Sequence, residues 1–318
     1  MIPSQTQGRI LVIRGGAIGD FILTLPALRL IRKGFPDCPL EIVGYRHIAA
    51  LAEGRFYAEA VRSIEYAPMA GFFNPRSELD PGLSEYFSGF AQVISYLYDP
   101  DGFFEGNLRR CGVKNLLCAD PRVSGGLHAA GHLAKPLESL ALFLEDPAAV
   151  FFPSPADLDA ARAILPTSHG TLVAMHPGSG SPAKNWPTDR WVRLVEMLVN
   201  HPGNLHLIVV GGESDSAALT GFRSRFQRSD RLTFLENLPL CTLGACLSLC
   251  RLFIGHDSGI SHLAAAAGAP SLLLFGPTDP AVWAPANPGV HILRGLNASV
   301  GNLSLREVAE TVDDLLRD

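Results

Sequence analysis

Short apolar runs bounded by glycine or proline recur along the chain, with apolar residues at helical spacing between them. This alternation marks repeated strand–helix units that assemble into parallel sheets. Five strands are predicted in the first half, at 10–13, 40–43, 64–66, 93–96 and 115–118, and five in the second, at 172–175, 205–210, 232–234, 252–254 and 271–275. Two sets of five predict two similar α/β lobes, residues 1–150 and 169–300. Residues 151–168, punctuated by Pro153, Pro155 and Pro166, read as a linker with a short helical run behind Asp157. The last residues, 301–318, are predicted to form an amphipathic helix with Leu305, Val308, Val312 and Leu315 or Leu316 on one side. At 318 residues the chain exceeds the size at which one core stops growing, which agrees with two lobes.

Composition narrows the partners. Apolar residues make up 47% and charged residues 18%, the balance of an ordinary globular protein. The net charge is −5, and acidic residues outnumber basic ones in both halves. A nucleic-acid partner is therefore not expected, because it demands a basic face. The patch Arg29, Arg32, Lys33, Arg46 and His47 reads as a solvated helix face. Six cysteines show no Cys-x-x-Cys pair, so reduced thiols are expected, with Cys246 and Cys250 on one face of an apolar helix. Neither a signal-peptide pattern nor an apolar stretch of ~20 residues is present, and the expected location is the cytoplasm.

Three strand-to-helix loops carry candidate chemistry. After the first strand, Gly15-Gly16-Ala17-Ile18-Gly19-Asp20 opens onto a helix, so backbone amides can approach an anion or a sugar. A dinucleotide fingerprint fails there, because Arg14 stands where the first glycine belongs and no acidic ribose ligand follows the second strand. Asp20 is open to two readings, a helix cap or a general base toward an attacking hydroxyl. The second loop, His176-Pro177-Gly178-Ser179-Gly180-Ser181-Pro182-Ala183-Lys184, offers small residues and one cation to a phosphate, without the Gly-Lys-Ser/Thr of a Walker loop. In the third, Asp257-Ser258-Gly259-Ile260-Ser261-His262 begins an alanine-rich helix whose free amides suit a diphosphate, with His262 one turn in.

Together the loops resemble glycosyltransferase family 9, that of the ADP-heptose:lipopolysaccharide heptosyltransferases. The resemblance runs through Gly16-x-x-Gly19-Asp20 with Leu25-Pro26-Ala27-Leu28, through His176-Pro177-Gly178 with Lys184-x-Trp186-Pro187, and through Asp257-Ser258-Gly259 with His262 and Phe275-Gly276-Pro277-Thr278. It implies a GT-B architecture: two Rossmann-like lobes, parallel sheets facing a central cleft, acceptor lobe first and nucleotide-sugar lobe second. It implies an inverting, metal-independent transfer of a sugar, heptose from ADP-heptose, to a lipopolysaccharide-core or related glycan or glycolipid. Asp20 is then the base on the acceptor side with Gly16 and Gly19. Lys184, which also stabilises the leaving group, binds the donor with Ser179, Gly180, Asp257, Ser258, Gly259 and His262. For the ribose the resemblance points to Glu213, with Asp215 as the alternative.

No cofactor and no metal are expected. Asp99-Pro100-Asp101 has the form of a metal-binding Asp-x-Asp, yet it lies far from the donor loops in sequence. A monomer is expected, and peripheral contact with the cytoplasmic face of the inner membrane is compatible with it. The rival readings are a family member using a UDP- or GDP-hexose and a non-catalytic nucleotide-sugar-binding protein.

Overall fold

The computed structural model describes residues 8–166, 170–212, 215–226 and 229–317. The chain divides into two units, Met1–Pro147 and Ala148–Asp318, each built on its own parallel sheet.

The first unit runs β1 (Ile10–Arg14), α1 (Ile18–Gly34), β2 (Leu40–Gly44), α2 (Arg46–Ala49), β3 (Ala60–Ser63), α3 (Pro81–Ser88), β4 (Gln92–Ser95), α4 (Phe103–Arg110), β5 (Leu116–Cys118) and α5 (Ala129–Ala134). Its sheet has the order β3-β2-β1-β4-β5, so the winding reverses between β1 and β4. Ile13 stands opposite Ser95, which brings the carboxyl ends of these two strands level. Leu11, Ile13 and Val93 form one cluster with Phe87 of α3 and with Phe104 and Leu108 of α4. On α1 the apolar run is packed against α5, and both sheet faces are covered, as a parallel sheet requires.

The second unit runs α6 (Pro155–Ile164), β6 (Thr171–Met175), α7 (Thr188–Val199), β7 (Leu205–Gly211), α8 (Ser216–Phe226), β8 (Leu232–Glu236), α9 (Leu240–Ser248), β9 (Leu252–His256), α10 (Gly259–Ala266), β10 (Ser271–Phe275), α11 (Pro280–Trp283), β11 (Val290–Arg294) and α12 (Leu305–Arg317). The order β11-β10-β9-β6-β7-β8 reverses between β6 and β9. Met175 is in register with Ile254, and the His176 N–H donates to the Ile254 carbonyl at 2.9 Å, so both strands release their loops at one level. Trp191, Leu194, Val195 and Leu198 of α7 are spaced by three and four and share a core with Val308, Val312 and Leu315 of α12.

Two sequence expectations change. The segment read as a linker belongs to the second unit as far as Pro166: α6 packs on α9, and the Phe151 N–H donates to the Ala266 carbonyl at 2.7 Å. Pro155 does not break the chain there. It is the first helical residue behind a Ser154–Asp157 capping box, where proline costs no hydrogen bond. The third strand lies at Ala60–Ser63 rather than 64–66, and β11 escaped notice altogether. Both are edge strands, β3 burying only Val61 and β11 none of its residues fully, so neither carries an apolar run.

Cys246 and Cys250 are free and buried, and burial pushes both thiols up, to about 11 and about 12. Among the described residues no helix is long and apolar enough to cross a membrane.

Candidate functional site

In the first unit, β1 ends on Arg14, whose side chain is buried behind the following turn. Gly16 sits at φ +96°, a conformation that other residues rarely adopt, and a Cβ there would stand 2.9 Å from Asp20 Oδ2. Asp20 is the third residue of α1, and its Oδ2 accepts the Ala17 N–H at 2.9 Å. Capping therefore engages one oxygen, yet the side chain keeps 42% of its surface exposed, with Oδ1 3.8 Å from Arg14 Nη2. Gly19 precedes it inside α1. Arg14 holds this turn from below: Nε donates to Thr24 Oγ1 at 2.9 Å, Nη2 to the Asp20 carbonyl at 3.1 Å and Nη1 to the Tyr96 carbonyl at 3.4 Å. Burial pushes its guanidinium below the usual value, against the pull of Asp20 and Tyr96. Sequence reasoning used Arg14 only to exclude a dinucleotide; an arginine closing a buried apolar strand was the signal that it positions Asp20.

Asp99 is engaged locally, its Oδ2 accepting the Glu105 N–H in the first turn of α4 at 2.9 Å. Among the described residues no group of three or more His, Cys, Asp or Glu side chains is gathered to hold a metal ion.

In the second unit the loops after β6 and β9 meet. Lys184 Nζ lies 2.6 Å from Asp257 Oδ2, with 28% of the lysine side chain exposed and the aspartate nearly buried. Ser258 is the N-cap of α10, its Oγ accepting the Ser261 N–H at 3.4 Å, and Gly259 is the first helical residue. His262 lies one turn in and is buried. Ser179 is engaged inside its own loop, its hydroxyl within 2.6 Å of Asn185 Oδ1 and 2.8 Å of the Ser181 carbonyl. Gly180 has open space where a Cβ would be.

Two histidines that pattern reading left aside fix these loops. His256 is wholly buried at the end of β9. Its Nε2 accepts the Trp186 N–H at 2.8 Å, which leaves the ring proton on Nδ1, 3.3 Å from the Gly178 carbonyl. Trp191 meets this ring edge-on at 5.4 Å, and Trp186 is pinned by donating its ring N–H to the Leu303 carbonyl at 2.9 Å. Burial pushes the His256 imidazole down to about 3, so it stays neutral. The second, His176, sits between Asp215 and Ser258, with Nε2 3.1 Å from Asp215 Oδ2 and Nδ1 3.4 Å from Ser258 Oγ. A carboxylate only accepts, so Nε2 donates to Asp215.

Asp215, the alternative ribose ligand, thus supports His176. Burial would raise its pKa, but the bonds from His176 and the Gly212 N–H prevail and hold the carboxyl below the usual range. Its other oxygen lies against Gly178, where a Cβ would stand 1.8 Å away. Glu213 lies outside the described residues.

The geometry places a cation, a capped helix start and two clamped loops at the carboxyl edge of a doubly wound sheet, beside its winding reversal, where such folds bind ligands. The family model "Glycosyltransferase family 9 (heptosyltransferase)" matches residues 142–306. The chain belongs to this family. Lipooligosaccharide heptosyltransferase 2 of Haemophilus ducreyi is 25% identical over 164 residues, 50% of this chain and 47% of that protein. The chain spans about half the length of the first curated relatives it matches, or less. Among solved structures, the family 9 glycosyltransferase of Veillonella parvula superposes with a TM-score of 0.80 at 18% identity, covering 99% of this chain and 98% of the other. E. coli heptosyltransferase WaaC with ADP gives 0.74 at 17% identity, covering 96% and 99%. The family 9 chain thus has the GT-B fold class, with two parallel-sheet α/β domains.

Two outcomes follow from the clamped loops. Gly178→Ala forces a methyl into Asp215 and is expected to destabilise the protein by about 1–3 kcal/mol; in an Asp215→Ala background the same change should cost much less, a coupling that urea titration of the four proteins will read. His256 takes up a proton in the unfolded chain below its ordinary value of 6.5 but not in the fold. Stability must therefore fall as pH drops from 6.5 toward 3, by up to about 1.4 kcal/mol per pH unit. His256→Asn, whose amide can still accept the Trp186 N–H, should flatten that slope between pH 6.5 and 4.5 in urea midpoints.

Proposed function

We propose that this chain is an inverting glycosyltransferase that moves heptose from ADP-heptose to a hydroxyl of a lipopolysaccharide-core or related glycan, without a divalent metal. The observation that carries this reading is the Lys184–Asp257 pair beside the start of α10. An ammonium has three donors, and Asp257 takes one of them while holding the head group in place. The remaining donors and the first amides of α10 then meet the diphosphate oxygens. As the bond from the anomeric carbon to the diphosphate breaks, charge grows on the leaving oxygen, and this preorganised set stabilises it in the role a metal ion fills elsewhere. His176 and His256 contribute by holding the two loops, not by proton transfer.

On the acceptor side, Asp20 takes the proton of the attacking hydroxyl as oxygen bonds to the anomeric carbon from the face opposite the nucleotide. Its exposed carboxylate at the first turn of α1, braced by Arg14, supports that role. The partners are the nucleotide-sugar donor and the glycan or glycolipid acceptor. The reading sets the protein in the cytoplasm as a monomer, in peripheral contact with the inner-membrane surface.

Asp20→Asn should lower transfer from ADP-heptose to a truncated lipopolysaccharide core by ~10²–10⁴ with ADP affinity nearly unchanged, and transfer should persist in EDTA. Lys184→Ala should weaken ADP binding at least ~10-fold in calorimetric titration. Transfer by Asp20→Asn within a few-fold of wild type would reduce Asp20 to a cap. Tighter binding of UDP or GDP than of ADP would reassign the donor.

A further inference from the structure

A pocket of about 150 Å³ opens in the first unit at the carboxyl ends of β4 and β5, lined by Ser95, Leu97, Tyr98, Asp99, Glu105, Asp120 and Arg122 among others. It lies beside the β1–α1 turn: a Cβ on Gly15 would meet Leu97 Cδ2 at 3.2 Å. This is also where the winding reverses between β1 and β4. Resting on the reading of Asp20 as base, we propose that this pocket seats the sugar ring of the acceptor, and that the ring it takes is uncharged.

Size comes first: a cavity of ~150 Å³ takes a single six-membered ring. Charge decides the kind of ring. Of the lining carboxylates, Glu105 is paired with Arg109 at 2.8 Å and Asp120 with Arg122 at 2.7 Å, while Asp99 has no ion pair among the described residues. Arg122 binds Asp120 through Nε and Nη2, donates to the Tyr98 hydroxyl at 3.0 Å and lies 4.1 Å from the centre of its ring. Its bonds hold the Asp120 carboxyl down at about 2, so Asp120 stays ionised within this pair. A phosphate or a sugar acid entering here would meet the unpaired Asp99 and find no lining cation that is not already paired with a carboxylate. A polyol meets what it needs. Among the described residues Asp99 accepts a bond only through Oδ2, which leaves Oδ1 for a sugar hydroxyl. Ser95, 97% buried (3% exposed), accepts a long bond from the Leu97 N–H at 3.4 Å, while its own hydroxyl donates to no acceptor among the described residues. One buried donor beside carboxylate acceptors suits hydroxyls, which both give and receive.

The test titrates the full chain, with and without ADP, against methyl α-D-glucopyranoside and methyl α-D-mannopyranoside as neutral probes. Methyl α-D-glucopyranosiduronate and mannose 6-phosphate are the anionic ones. Binding is read by saturation-transfer NMR and calorimetry. Expected are millimolar binding of a neutral probe and at least ~10-fold weaker binding of both anions. Asp99→Asn, which keeps a carbonyl acceptor for the Glu105 N–H, and Ser95→Ala, on another wall, should each weaken the neutral probe by about three- to tenfold. Anions binding as well as the neutral probes, or neither variant changing neutral binding, would overturn the assignment. ADP titration separates the two readings: ADP bound with no neutral glycoside bound sinks the pocket alone, whereas no nucleotide bound by wild type sinks the donor site.

Discussion

The site of the second unit depends on one uncharged imidazole. His256 receives an amide proton from Trp186 and faces the carbonyl of Gly178, so a single ring ties both ends of the loop after β6 to the end of β9. Only a group with one donor and one acceptor a fixed distance apart can do this, and only while it is neutral. Full burial enforces that neutrality. From this clamp the rest follows: Lys184, two residues before Trp186, is held within reach of Asp257, the neighbour of His256. His176 adds a second tie from the start of the same loop to the cap of α10. Preorganisation of this kind removes the cost of ordering a loop when a ligand arrives.

The first unit solves the same problem with opposite chemistry. There a permanently charged Arg14 spreads its donors over Thr24 and the carbonyls of Asp20 and Tyr96. A charged group tolerates burial only when its donors are met, and meeting them fixes the turn that presents Asp20. Both units thus place a buried polar side chain at the last residue of a strand flanking the winding reversal.

The sequence made the sheets legible wherever strands are buried on both faces, because β7, β9 and β10 carry the apolar runs 207–210, 252–254 and 272–275. It failed at β3 and β11, where an edge strand needs little apolar surface. The site divided along similar lines. Lys184, Asp257, Ser258 and Asp20 were visible because their residue types match a chemistry at a recognisable loop position. His256, His176, Asp215 and Arg14 act through partners between 6 and 82 residues distant, and no local pattern announces such pairs. Ser95 was hidden for a plainer reason, since a serine ending a strand has no signature.

The position of α6 decides where the second unit begins as a physical object. Its capping box, its packing on α9 and the bond from Phe151 to Ala266 place residues 151–164 on that unit, and the Phe151 ring fills the space a side chain at Gly244 would take. A fragment begun at residue 169 would expose the apolar side of α9 to water, with the solubility of a torn protein. One begun at Ala148 carries its own lid, so the two units meet in the chain at a narrow crossing rather than along a tether some twenty residues long.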